Sequence, residues 1–94
     1  MKKVIYTSHL EFRLEKRQIS ADIPSRIYRD SKERYYDSAT GHRIAIGRLD
    51  YSGREREVMI AYDELEDRIE IVTVHPLKWM QKQHRIKTKR WAKI

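Results

Sequence analysis

The chain has 94 residues, no cysteine, and 21 Lys plus Arg against 14 Asp plus Glu, for a formal net charge of +7. That length buries one small core in one or two layers, and the composition rules out a disulfide framework and a thiolate zinc site. No apolar run approaches the roughly 18 residues of a membrane helix, and the lysines of MKKVIYTSHLEF precede no hydrophobic stretch, so neither a membrane span nor a secretory leader is expected and a cytoplasmic setting is.

KVIYT, residues 3–7, reads as a short strand or extended lead-in. Ser8 and Glu11 then form an S-x-x-E capping box, in which each side chain satisfies a backbone N–H at the other's end. It opens a helix over roughly residues 9–17, with Leu10 and Leu14 facing inward and Phe12 at the edge. Ser20 caps a second helix, roughly 21–29, where Pro24 falls in the first turn and Ile23 and Ile27 face inward. Beyond Arg29 the period changes to two. ERYYD is a first strand, and SATG is a turn in which Gly41 can take positive φ. HRIAIGRLDY is a second strand, with Ile44 and Ile46 on one face and Ala45 and Leu49 on the other. YSGRE turns at Gly53 into REVMIAYDE, and the acidic DELEDR turns into RIEIVTVHP, which Pro76 ends. Hairpin-length connections imply an antiparallel meander. A short basic helix from Leu77 to about Lys87 docks through Trp79 and Met80, with fraying beyond it. The expected fold is α+β: two N-terminal helices on one face of a roughly four-stranded antiparallel sheet across residues 1–76, and a basic C-terminal helix or tail, 77–94, that is not a separate domain. The other sheet face is left open for work.

Charge is uneven. Residues 1–75 are balanced, whereas 76–94 hold seven basic side chains and no acid. A basic end suits a polyanion such as RNA or DNA, or an acidic protein; a solvated tail explains it equally well. His9, Arg13 and Arg17 recur at every fourth position, a stripe beside the Leu10/Leu14 seam. Arginine binds phosphate bidentately and histidine titrates near neutral pH, so His9 and Arg13 are candidates for phosphate chemistry. The plainer reading is a solvated face pairing with Glu11 and Glu15, and it is preferred for Arg17. Thr73 and His75 share one strand face, opposite Val72 and Val74, and make a possible site wall. Arg43 and Arg48 either pair with Glu57 or Glu70 or await phosphate. Tyr62 stacks on a base or sits half-buried. Lys82, Arg85, Lys87, Lys89 and Arg90 interleave with Trp91, the mixture that holds single-stranded nucleic acid, while Trp79 reads as a core anchor. The four histidines show no zinc spacing and no glycine loop cradles phosphate, so no metal or cofactor is expected.

The pattern H-x-x-x-R-x-x-x-R-x-I-S entering the second helix, followed by I-x-R on a strand and I-x-I-V-T-V-H-P on the last, resembles a family of small domains of unknown function. That family is grouped with the RelE- and BrnT-like toxins in the barnase/RelE-type ribonuclease superfamily. The resemblance runs from about Tyr6 to Pro76. It implies a compact two-helix, antiparallel-sheet fold and metal-independent RNA cleavage by attack of a 2′-hydroxyl on the adjacent phosphate. Carried over by position, His9 is the acid/base, Arg13 and Arg48 bind phosphate, and Thr73 is a hydrogen-bonding wall residue. The expected partners are RNA, free or on the ribosome, and a protein antitoxin covering the open sheet face. The alternative is a non-catalytic nucleic-acid-binding module working through the basic C-terminal segment, and a third, weaker reading is an adaptor whose tail docks an acidic protein.

Overall fold

A computed structural model describes residues 2–94. In chain order the elements are β1 (Lys3–Tyr6), α1 (Ser8–Lys16), α2 (Ile23–Asp30), β2 (Glu33–Asp37), β3 (Arg43–Tyr51), β4 (Arg54–Glu64), β5 (Arg68–Pro76), α3 (Trp79–Lys87) and β6 (Trp91–Lys93). The strands form one sheet in the order β1-β5-β4-β3-β2-β6. The four strands β2 to β5 form the antiparallel meander that their alternation implies. The expected four-stranded antiparallel sheet is nevertheless incorrect. The sheet has six strands and is mixed, because β1 joins β5 in parallel and β6 joins β2 antiparallel. Both additions cover an edge of the meander that would otherwise offer unpaired backbone groups.

The first face carries α1 and α2. Leu10, Leu14, Ile23 and Ile27 meet Ala45, Val58, Ile60, Ile69, Ile71 and Val74 there, with Val4 and Tyr6 of β1 packed alongside. Helix α2 lies close on β3: a Cβ built on Gly47 would come within 3.3 Å of the Ile27 side chain, so any larger residue there would require that side chain to give way by a few tenths of an ångström. The cap of α1 falls one residue earlier than the S-x-x-E pattern suggests. Thr7 accepts from the Leu10 amide at 3.2 Å, and its own N–H donates to the Ile71 carbonyl at 3.1 Å. One residue thus ends the strand pairing and starts the helix.

The second face is not open. Tyr35, Ile44, Ile46, Met59, Ala61, Leu77 and Trp91 form a second buried cluster, with Ile86 of α3 against it. The C-terminal segment does not fray, because Asp37, buried at the end of β2, holds it. The carboxylate accepts from Arg90 Nε at 3.0 Å, Arg90 Nη2 at 3.1 Å and the Trp91 indole N–H at 3.3 Å. Trp91 stacks on Tyr35 with ring centroids 5.6 Å apart. The two tryptophans exchange their expected places: Trp91 is 1 % exposed and Trp79 is 69 % exposed. Leu77 takes the inward position after Pro76, which leaves Trp79 and Met80 on the outer side of α3. Among the described residues no helix is long and apolar enough to cross a membrane.

Candidate functional site

The end of β5 gathers the most reactive side chains. Strand β1 pairs only with Arg68–Ile71, so the remainder of β5 runs past it, and α1 lies along that stretch. An irregularity in the β4–β5 register at Ala61/Tyr62 leaves Val72 unpaired. Beyond it, Ala61 faces Thr73 and Met59 faces His75, so both polar residues lie on the second face of the sheet. Arg13 reaches round from α1, and its Nη1 donates to Thr73 Oγ1 at 3.4 Å.

His75 Nδ1 lies 3.2 Å from the Pro76 carbonyl, which can only accept, so Nδ1 carries the proton and the Nε2 lone pair is free. Burial is the main cause that lowers the pKa of His75. Arg85, Arg13 and Arg17 act in the same direction, and the hydrogen bond to Pro76 opposes them. The imidazole is therefore held neutral at pH 7, in the form a general base needs. The three arginines come from two helices, α1 and α3. Among the described residues none of them has a carboxylate within ion-pair distance. Arg17 is exposed, as the solvated face preferred for it requires, but it forms no ion pair with Glu11 or Glu15. His9 lines an adjoining recess of about 430 Å³ with Phe12, Arg13, Lys16 and Arg17.

Arg48 lies on β3, two strands away from β5 but at the same end and on the same face of the sheet as His75; it makes no hydrogen bond to the corner and lines one recess with Arg26 and Asp30 and another with Arg54, Leu77 and Trp79. Arg48 faces Glu57 across the strands, but Glu57 is bound by Lys82, and Glu70 is bound by Arg68. Arg43 faces Tyr62 on the first face. Tyr62 is 2 % exposed, which removes it as a base-stacking platform, and the burial of Trp91 does the same.

The basic C-terminal residues divide. Lys82 is nearly buried, with Nζ 2.7 Å from Glu33 and 3.1 Å from Glu57, and Tyr35 donates to the same Glu33 oxygen at 2.6 Å. Arg90 is held by Asp37. Both are engaged by carboxylates of the sheet, whereas the nucleic-acid role expected of them calls for a free cation. Arg85 lies over the Trp91 ring at 5.1 Å, and Lys87 and Lys89 are exposed.

Two constellations escape the sequence reading. Arg34 donates through Nη1 to the Tyr62 hydroxyl at 3.0 Å and through Nη2 to the Tyr28 carbonyl, and lies over both rings. His42 Nδ1 is 2.7 Å from Asp63 Oδ1. The hairpin register carried the signal for the second pair, since Arg43 opposite Tyr62 sets His42 beside Asp63. Among the described residues no group of three or more His, Asp or Glu is placed to hold a metal ion. No protein-family model, no curated protein and no solved structure matches the chain, so the functional reading rests on this geometry.

Proposed function

We propose that the corner formed by Arg13, Arg17, Thr73, His75 and Arg85 holds an RNA phosphodiester and cleaves it without a metal, as a toxin-type endoribonuclease restrained in the cytoplasm by a protein antitoxin. The observation that carries this reading is a histidine with a free Nε2 beside Thr73, the acceptor of Arg13, with three arginines close enough to lower its pKa and none of them ion-paired to a carboxylate among the described residues. Nε2 takes the proton of the 2′-hydroxyl. The 2′ oxygen bonds to phosphorus as the bond to the 5′ oxygen breaks, and the departing oxygen takes a proton from His9. The arginines stabilise charge on the non-bridging oxygens, with Arg13 steadied by Thr73.

The test is incubation of the protein with a short RNA in excess EDTA. The expected products carry 2′,3′-cyclic phosphate and 5′-hydroxyl ends. His75→Ala is expected to slow cleavage by about 10²–10⁴-fold. Because the pKa of His75 is lowered, its base form persists as the solution is acidified, so the acidic limb of the rate profile is expected to lie below the ordinary histidine value of 6.5. Induction of the protein alone is expected to halt growth, with His75→Ala restoring it. RNA that binds but stays intact overturns cleavage and leaves the second reading, a non-catalytic nucleic-acid module. The exposed Lys87 and Lys89 favour that module, since they add affinity whether or not a bond is broken.

A further inference from the structure

A second basic recess lies at the opposite end of β5 and on the opposite face of the sheet. Its volume is about 510 Å³, within the range of small-ligand sites, and it is lined by Lys2, Val4, Ser25, Tyr28, Arg29 and Arg34. Three of those six side chains are cations and none is an acid. Arg29 is partly satisfied by Asp30, with Nε 3.0 Å from Oδ1. Arg34 meets no carboxylate within ion-pair distance among the described residues, yet it is the most firmly held of the three. The Tyr62 hydroxyl and the Tyr28 carbonyl each accept one of its N–H groups, and its guanidinium carbon lies 5.0 Å from the Tyr28 ring centroid and 5.7 Å from that of Tyr62. The two rings meet edge to face at 5.1 Å. A guanidinium has five N–H groups, so this arrangement fixes its plane and leaves donors over. A fixed planar cation with spare donors is a receptor for an anion that presents two oxygens to it, such as a phosphate. Val4 and Tyr28 supply an apolar wall beside it, which bare phosphate does not need.

We propose that this recess binds a nucleotide phosphate, with the phosphate between Lys2, Arg29 and Arg34 and the base against Val4 and Tyr28. The ligand chemistry is shared by a free mononucleotide and by one nucleotide of an RNA strand. The site stands apart from the His75 corner and does not depend on cleavage there.

The experiment is an amide NMR titration of the full chain with 5′-AMP, with inorganic phosphate and with a short RNA. AMP is expected to shift Val4, Ser25, Tyr28 and Arg34, with inorganic phosphate binding at least about tenfold more weakly for want of the apolar contact. Lys2→Glu, at an exposed position, is expected to weaken AMP by about tenfold without disturbing the fold, and Arg34→Lys to do so while keeping the charge. Arg13→Ala is expected to leave the AMP titration unchanged. AMP that shifts none of these residues, or binds Lys2→Glu as tightly as the native chain, or loses its binding in Arg13→Ala, overturns the proposal. A short RNA that displaces AMP assigns the recess to a strand, and one that does not assigns it to free nucleotide; both sustain phosphate recognition.

Discussion

The cations of α1 and those of the C-terminal segment are alike in chemistry and opposite in wiring. Lys82 and Arg90 belong to the acid-free stretch that supplies the whole net charge, yet both are bound to carboxylates of the sheet. Arg13 and Arg17 belong to the electrically balanced part and have no carboxylate partner among the described residues. A surplus of positive charge in one segment therefore does not locate an anion site. The acids that balance a body on paper can be spent on the tail, and the body's own arginines are then left over. Ion pairing in three dimensions decides which cations can meet a ligand.

The widest test of this contrast uses the two tryptophans of the C-terminal segment, one docked and one exposed. Trp91 is buried on Tyr35 and hydrogen-bonded to Asp37. Trp91→Ala is expected to cost about 3–5 kcal/mol, a large share of the stability of a domain this size. Trp79→Ala removes an exposed ring and is expected to stay within about 0.5 kcal/mol. Urea unfolding of both variants checks this; equal effects would mean that the C-terminal segment is not docked through Trp91.

Asp37 comes next. Burial alone would raise its pKa, but the Arg90 guanidinium, the Ala39 amide and the Trp91 N–H outweigh it and hold the group down to about 2, from an ordinary 3.8. A depressed acid stabilises the fold above its unfolded value and loses that contribution as the pH falls through its folded value. Roughly 2 kcal/mol is expected to vanish between about pH 4 and pH 2. In Asp37→Asn that amount is missing at neutral pH, and the decline over this window is shallower. Stability measured against pH for the two chains decides it.

Lys82 is a smaller case. Lys82→Met leaves Glu33 and Glu57 facing each other without a counter-charge and is expected to cost roughly 1–2 kcal/mol, reduced by the partial exposure of both carboxylates. Lys87→Met, on the same helix, removes an exposed cation with no carboxylate partner among the described residues and is expected to change stability by less than about 0.5 kcal/mol. Thermal unfolding of the pair separates the structural lysine from the free one.

The same contrast explains what was legible in the sequence. Strands β2 to β5 repeat every second residue within themselves, so Ile44 and Ile46 on one side and Ala45 and Leu49 on the other can be assigned from spacing alone. Strands β1 and β6 are four and three residues long and owe their places to distant partners: Ile69 and Ile71 for one, Asp37 and Tyr35 for the other. Short segments held by long-range contacts carry no period. At the candidate site, Thr73 and His75 share a face as their spacing indicates. The meeting of Arg13 with Thr73 depends on how α1 leaves the sheet edge at Thr7, and that Arg85 is free while Lys82 is not depends on which side of α3 meets the sheet. The guanidinium of Arg34 between Tyr28 and Tyr62 joins three elements and has no local signature.

Arg85 is the sharpest case, because it sits among bound cations without being one. Burial lowers its pKa first and nearby Arg90 lowers it further, while Asp37 acts the other way. Burial therefore works against a charge that the chain nevertheless keeps, over the Trp91 ring and close enough to His75 to lower its pKa. Arg85→Met is accordingly expected to leave stability within about 0.5 kcal/mol of the native chain, or slightly above it. RNA affinity is expected to fall, and the slope of log affinity against log salt to flatten by about 0.7, the share of one phosphate contact on a single strand. Arg90→Met should do the reverse, destabilising the fold through the stranded Asp37 while the salt slope stays as it was. Binding isotherms over a salt series, set beside unfolding curves for the two variants, distinguish them. If Arg85→Met destabilises as Arg90→Met does and leaves the slope unchanged, Arg85 is one more structural cation and the His75 corner loses its third arginine.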